Sequence, residues 1–170
     1  ESGAKAVTVD EAVSDVSLII VTIPEKNIPA LGRKPFAHVP ADVVIVDTGN
    51  YYPRERDGRI SAIEAGTPES VWMSEQIGRP VIKVFNNIYA KHLLENGKPG
   101  GSEGRTALPV AGDNAAAKQI VLELVNQLEF DPVDAGSLAE SWRQQPGTPV
   151  YGADLDAAGG GFEEPLIDRP

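Results

Sequence analysis

The sequence predicts an α/β fold, an open parallel sheet in three layers with helices on both faces. Three observations carry that reading. The runs at 16–23, 43–46 and 81–85 are rich in β-branched residues and apolar on both faces, as strands of a covered parallel sheet must be. Helix-like segments alternate with these runs, the order expected of β–α–β units. The chain has 170 residues, 41% hydrophobic and 24% charged, enough to bury the core of one domain.

The elements follow in order. Ala4–Thr8 reads as the end of a strand, and Thr8 or Asp10 caps a short helix through Asp15. Val16–Ile23 and Val43–Val46 are strands. Thr67 is placed as N-cap and Pro68 at the first position of a helix that runs to Ile77, where Gly78 stops it. Val81–Phe85 is the next strand, and Lys98–Gly104 is a loop by composition. Thr106–Ala111 is a strand whose Pro109 marks an edge or a bend. Asp113 and Asn114 open a helix with Ile120, Val121, Leu124, Val125 and Leu128 as one buried stripe. Phe130–Val133 is the last strand, and Asp154–Ala158 begins a helix that Gly159 to Gly161 cut short. Residues 1–138 are expected to form the α/β domain and 139–170 a C-terminal extension, partly irregular or mobile.

Composition excludes several functions. Fifteen basic and twenty-five acidic side chains give a net charge of −10, which argues against duplex nucleic acid and anionic membranes as partners. There is no cysteine, so disulfides, thiolate nucleophiles and Cys-ligated metals are out. His38 and His92 lie far apart in sequence, and no metal site is expected. No signal peptide or bilayer-length apolar run is visible, so a soluble, cytoplasmic protein is expected.

The unusual residues gather where strands end. The first strand gives Thr22–Ile23–Pro24, the second Asp47–Thr48–Gly49–Asn50–Tyr51–Tyr52, the third Asn86–Asn87–Ile88–Tyr89. In parallel strands these lie on one edge of the sheet, where open α/β folds bind ligands. The same residues are also what strand-terminating turns favour, and both readings stay open at this level. Asp47–Thr48–Gly49 is the tripeptide of aspartic proteases, but one copy in α/β surroundings does not make a carboxylate dyad. No serine-hydrolase elbow, phosphate loop or Tyr-x-x-x-Lys pair is present. Lys83 reads as a snorkelling or partner-bound lysine, and Trp72 and Met73 as core. Glu11, Asp15, Glu69, Glu75 and Glu123 read as solvated helix faces, His38 as solvated, and His92 as close to the site.

In their order and spacing, Thr22–Ile23–Pro24, Val46–Pro53, Lys83–Ile88, Pro109–Asp113 and Asp134–Leu138 together resemble the NADPH-dependent coenzyme F420 reductase-like family. The resemblance implies a Rossmann-like domain, NADP or NAD as cofactor, and hydride transfer to a small-molecule redox partner, in some members coenzyme F420. It also implies a homodimer. By that resemblance Thr22, Ile23, Pro24, Thr48, Gly49, Asn50, Asn86 and Asn87 border the nicotinamide nucleotide. Tyr51 is expected, with Ala135, Gly136, Ser137 and Leu138, on the side of the second substrate. No general acid or base is assigned. The family's glycine-rich pyrophosphate turn is not found in this sequence, so the domain is expected to be N-terminally truncated. The competing expectation is a non-catalytic module acting in assembly or protein binding.

Overall fold

A computed structural model describes residues 3–157. Its strands are β1 (Leu18–Val21), β2 (Val44–Asp47), β3 (Ile82–Lys83), β4 (Ala107–Val110) and β5 (Asp131–Asp134), and its α-helices are α1 (Val9–Ala12), α2 (Ile28–Leu31), α3 (Ser61–Glu64), α4 (Glu69–Ile77), α5 (Ala90–Glu95) and α6 (Ala115–Gln127). β1, β2 and β3 run parallel in that order, with Leu18 opposite Val44 and Val46 opposite Ile82. β4 and β5 are parallel to each other, with Ala107 opposite Asp131. The fold class is therefore the α/β arrangement that the apolar runs predict.

The two parallel segments meet head to tail. Lys83 and Ala111 exchange backbone hydrogen bonds of 2.8 and 3.0 Å in an antiparallel pair. The carboxyl ends of β4 and β5 thus lie at the amino edge of β1–β3. Gly112, just past β4, confirms the placement: a Cβ there would stand 2.4 Å from Ile82 Cδ1 and 3.5 Å from the Val81 carbonyl. Pro109 sits where β4 changes neighbour. Ala111 donates to Lys83 on one side of it, and Ala107 donates to the Leu155 carbonyl on the other. A missing N–H costs no ladder bond at such a break.

Helices cover both faces, unevenly. On one face α2 (Ile28–Leu31) and α4 (Glu69–Ile77) bury Ile19, Val21, Ile45, Trp72 and Met73. On the other, α6 (Ala115–Gln127) buries Val46, Ile82, Val84, Leu108 and Phe130. α4 starts one residue later than predicted, with Pro68 as its N-cap, and ends at left-handed Gly78 (φ 69°). Asn114 caps α6, its side chain accepting the Ala117 N–H at 3.0 Å. The buried stripe of α6 is narrower than predicted. Val121 and Val125 are buried, but Ile120 stays 50% exposed and Leu128 45%. α6 packs on β3, β4 and β5 and leaves this face of β1 open, so Ile20 is exposed as well.

Two predicted elements differ. Ala4–Thr8 is irregular rather than a strand end; Thr8 does cap a helix, in a reciprocal box with Glu11, but α1 is a single turn (Val9–Ala12) that ends short of Asp15. The stretch from Asp154 is not helical: Asp154 has a left-handed backbone (φ 48°), and Asp156 pairs antiparallel with Thr106 on the same edge of β4 as Lys83, along the part that β3 does not reach. The expected glycine stop and mobile end lie outside the described residues.

Candidate functional site

The carboxyl ends of β1, β2 and β3 do converge. Thr48 Oγ1 lies 2.9 Å from Thr22 Oγ1 and 3.3 Å from the Val21 carbonyl, tying the first two strand ends together. Asn50 Nδ2 donates to the Asn86 carbonyl at 2.9 Å, and Asn86 Nδ2 donates to Asn50 Oδ1 at 3.1 Å. Asn86 is further held by Gln144, which accepts from it at 2.6 Å and donates to it at 2.8 Å. Asn87 is buried, and its Oδ1 has no protein hydrogen-bond partner among the described residues. Between β3 and this pair, Phe85 adopts a left-handed backbone (φ 64°). A bulky residue in that region costs of order 1–3 kcal/mol and is found where the surroundings dictate it. Pro24 caps a single 3-10 turn, Glu25–Asn27, and Ile23 packs at the edge of the core.

Beneath these loops lies a buried ionic cluster. Lys83 is fully buried, and its Nζ donates to the Gly49 carbonyl at 2.6 Å and to Asp47 Oδ2 at 3.2 Å. Asp47 also accepts from Ser70 Oγ at 2.6 Å and from the Gly49 N–H at 2.7 Å. Glu69 Oε2 stands 3.9 Å from Lys83 Nζ. Glu25 is fully buried beside them, and neither of its carboxyl oxygens has a hydrogen-bond partner among the described residues. Burial, then repulsion from Asp47, pushes the Glu25 carboxyl up to about 8 against the pull of Lys83. Burial pushes Glu69 up to about 7, again against Lys83. Gly49 is small of necessity here: a Cβ would meet Glu25 Oε1 at 2.3 Å and Asp47 Oδ1 at 3.0 Å.

Lys83 is thus partner-bound rather than snorkelling. Glu69 is the exception among the acids read as solvated, because α4 points its first turn at the sheet rather than at water. Asp47 is committed to Lys83 and Ser70, which removes the protease reading of Asp47–Thr48–Gly49. The apolar pattern could not show Glu25 or Gln144. The signal for Glu25 was an acid directly after a strand-ending proline.

A second polar group borders the same edge. Tyr52 and Tyr151 join hydroxyl to hydroxyl, and the Arg56 guanidinium lies 5.1 Å from the Tyr52 ring centre. His92 Nδ1 is 2.5 Å from Asp154 Oδ2, and its ring meets Tyr89 edge-on at 5.4 Å. The Gly152 N–H donates to the Asn87 carbonyl at 2.7 Å, drawing this segment onto the end of β3.

The residues expected on the second-substrate side are not brought to this edge. Ala135, Gly136, Ser137 and Leu138 follow β5, and the antiparallel junction sends the end of β5 to the opposite edge. Ala135 and Gly136 line a cavity of about 220 Å³ with Glu140 and Arg143. Ser137 caps the 3-10 helix Leu138–Gln144, and Leu138 is buried in the core with its N–H on Asp113. Tyr51 is buried, its hydroxyl donating to Glu64 at 3.0 Å and accepting from the Ile60 N–H at 2.8 Å. A cavity of about 510 Å³ beside His38, Val39 and Val16 opens at the amino ends of β1 and β2.

Comparison with known proteins agrees on the fold. The solved structure of hypothetical protein SMa0349 from Sinorhizobium meliloti superposes with a TM-score of 0.72 at 27% identity, over 89% of this chain and 71% of that one. A "putative f420 dependent nadp-reductase" from Arthrobacter sp. FB24 superposes with a TM-score of 0.60 at 18% identity, over 80% of this chain and 62% of that one. The class defined is therefore the Rossmann-like α/β fold. In sequence, "Putative protein YjhV" of Escherichia coli (strain K12) is 59% identical over 63 residues, 37% of this chain. The matched region spans 46% of that relative. No family model matches. Among the described residues no helix is long and apolar enough to cross a membrane, and no cluster of His, Asp and Glu could hold a metal.

Proposed function

We propose that the chain is part of an NAD(P)-dependent oxidoreductase and supplies the nicotinamide side of the site. The observation that carries this is the convergence of three parallel strand ends, with Thr22 and Thr48 hydroxyls paired above the Gly49 turn. Short hydroxyls and backbone amides there suit a carboxamide and a ribose. NADP or NAD would bring the hydride chemistry, and these residues would bind and orient it. The pyrophosphate is a different matter: among the described residues no glycine-rich turn opens a helix toward this edge. The resemblance to the F420 reductase-like family makes a deazaflavin a candidate redox partner, and a cytoplasmic homodimer the setting. NADPH titration by calorimetry tests the reading, with NADH as comparison. Micromolar binding that Thr48→Val weakens is expected. No binding by a longer chain carrying a glycine-rich turn would sink it.

One observation favours a non-catalytic module. Asn86 spends its amide on Asn50 and Gln144, leaving less for a ligand. On that reading Asn86→Ala lowers stability without touching any NADPH affinity.

A further inference from the structure

We propose that Glu25 is a proton-operated latch, holding the connection from β1 to α2 closed while neutral and releasing it when ionised. This goes beyond the cofactor reading and does not depend on it.

Glu25 opens the 3-10 turn Glu25–Asn27 and points inward, while the next residues lie on the surface. The turn's other anchors lie at its second residue and just beyond its end. Lys26 reaches Asp57 Oδ1 through its N–H at 3.3 Å and the Arg56 carbonyl through Nζ at 2.9 Å, and Ile28 enters the core. Glu25 is the one member of the turn placed inside the ionic cluster.

The charges facing it are mostly of its own sign. Asp47 comes from β2, Glu69 from α4, and Asp57 from the turn after Tyr52; the cations are Lys83 from β3 and Arg56, which is engaged with Asp57 at 2.9 Å. Lys83 already serves Asp47 and the Gly49 carbonyl. A charged Glu25 would therefore enter a solvent-excluded site where no described residue donates a hydrogen bond to it. An unpaired buried charge is far costlier than a neutral acid, and water is reached most cheaply by swinging the turn outward. Burial and Asp47 together hold the proton on Glu25 to about 8, so the neutral form prevails at ordinary pH and the charged form is within reach. Because the turn leads directly from Thr22–Ile23–Pro24, its release would loosen the β1 border of the strand-end site.

Carbon-13 NMR of the side-chain carboxyls, with amide hydrogen exchange of residues 24–32, tests this on the whole chain between about pH 6 and pH 9. The Glu25 carboxyl carbon is expected to titrate well above the ordinary carboxylate range. Above that midpoint the amides of 24–32 should exchange faster than the intrinsic rise with pH, and Glu25→Gln should abolish the excess. A Glu25 already ionised at the acid end, or the same excess in E25Q, overturns the proposal. Should E25Q fail to fold, the wild-type exchange decides: protection of 24–32 that does not break at the Glu25 midpoint overturns it.

Discussion

The molecule buries two cations in opposite ways. Arg105, just before β4, spreads its guanidinium over the carbonyls of Lys98, Glu129 and Asn126, the Asn126 side chain and Asp131 at 2.6 Å. Its donors are used, and its acid Asp131 remains partly solvated. Lys83, at the end of β3, faces three carboxyl groups within one dry cluster, two of them raised toward neutrality. The first pattern ties a loop to a helix and a strand. The second leaves polar capacity unspent at the carboxyl edge of the sheet, the edge where open α/β folds in general bind ligands, and buried groups with perturbed protonation concentrate at functional sites.

Removing the cations separates the two most sharply. Lys83→Met should cost about 3–5 kcal/mol in urea unfolding at neutral pH, by leaving Asp47 charged and unpaired. Arg105→Leu should cost about 1.5–3 kcal/mol, the worth of hydrogen bonds to a charged group. Gly49→Ala should cost about 1–3 kcal/mol in thermal unfolding, because its methyl collides with Glu25. Equal stability of Gly49→Ala and wild type would mean that Glu25 does not lie where described.

The pH dependence of the wild type comes next. Glu25 and Glu69 are raised from 4.5 in the unfolded chain to about 8 and about 7 in the fold. The native state therefore holds more protons between these values. Their contribution is full below 4.5 and is lost as pH rises to about 7 for Glu69 and about 8 for Glu25. The slope is at most about 1.4 kcal/mol per pH unit for each group. Asp57 runs the other way. Burial opposes its charge, but bonds from Arg56, Tyr52 and Lys26 win and hold it below 3.8, so its contribution is lost only in stronger acid. Denaturation midpoints should thus peak on the mildly acidic side; a peak above pH 8 would refute the buried neutral acids. The smallest effect belongs to Thr48→Val, about 1 kcal/mol for the hydroxyl pair, read by thermal unfolding.

Much was legible in the residues themselves. β-branched runs announce β2 and β3 because strands covered on both faces need them, and the same kind of run announces β1 although one of its faces stays open at Ile20; Gly78 announces the end of α4 because a left-handed cap suits glycine. The convergence of Thr22, Thr48, Asn50 and Asn86 was readable too, since it needs only three parallel strands in chain order. Local pattern could not announce that Glu69 turns inward. Its neighbours Pro68 and Ser70 suit a solvated first turn equally well, and only the docking of α4 on β2 and β3 brings it to Lys83.

By itself, then, the sequence determined the fold class, the strands and the polar character of their ends, because those depend on side-chain type and spacing along the chain. Tertiary structure alone decided which ends share an edge. The antiparallel pair of Lys83 with Ala111 turns β4 and β5 around and carries Ala135–Leu138 away from Thr48 and Asn86. It also decided the burial of Glu25, Asp47, Glu69 and Lys83 together. Strand direction and shared burial arise from contacts between residues far apart in the chain, and no local period records them.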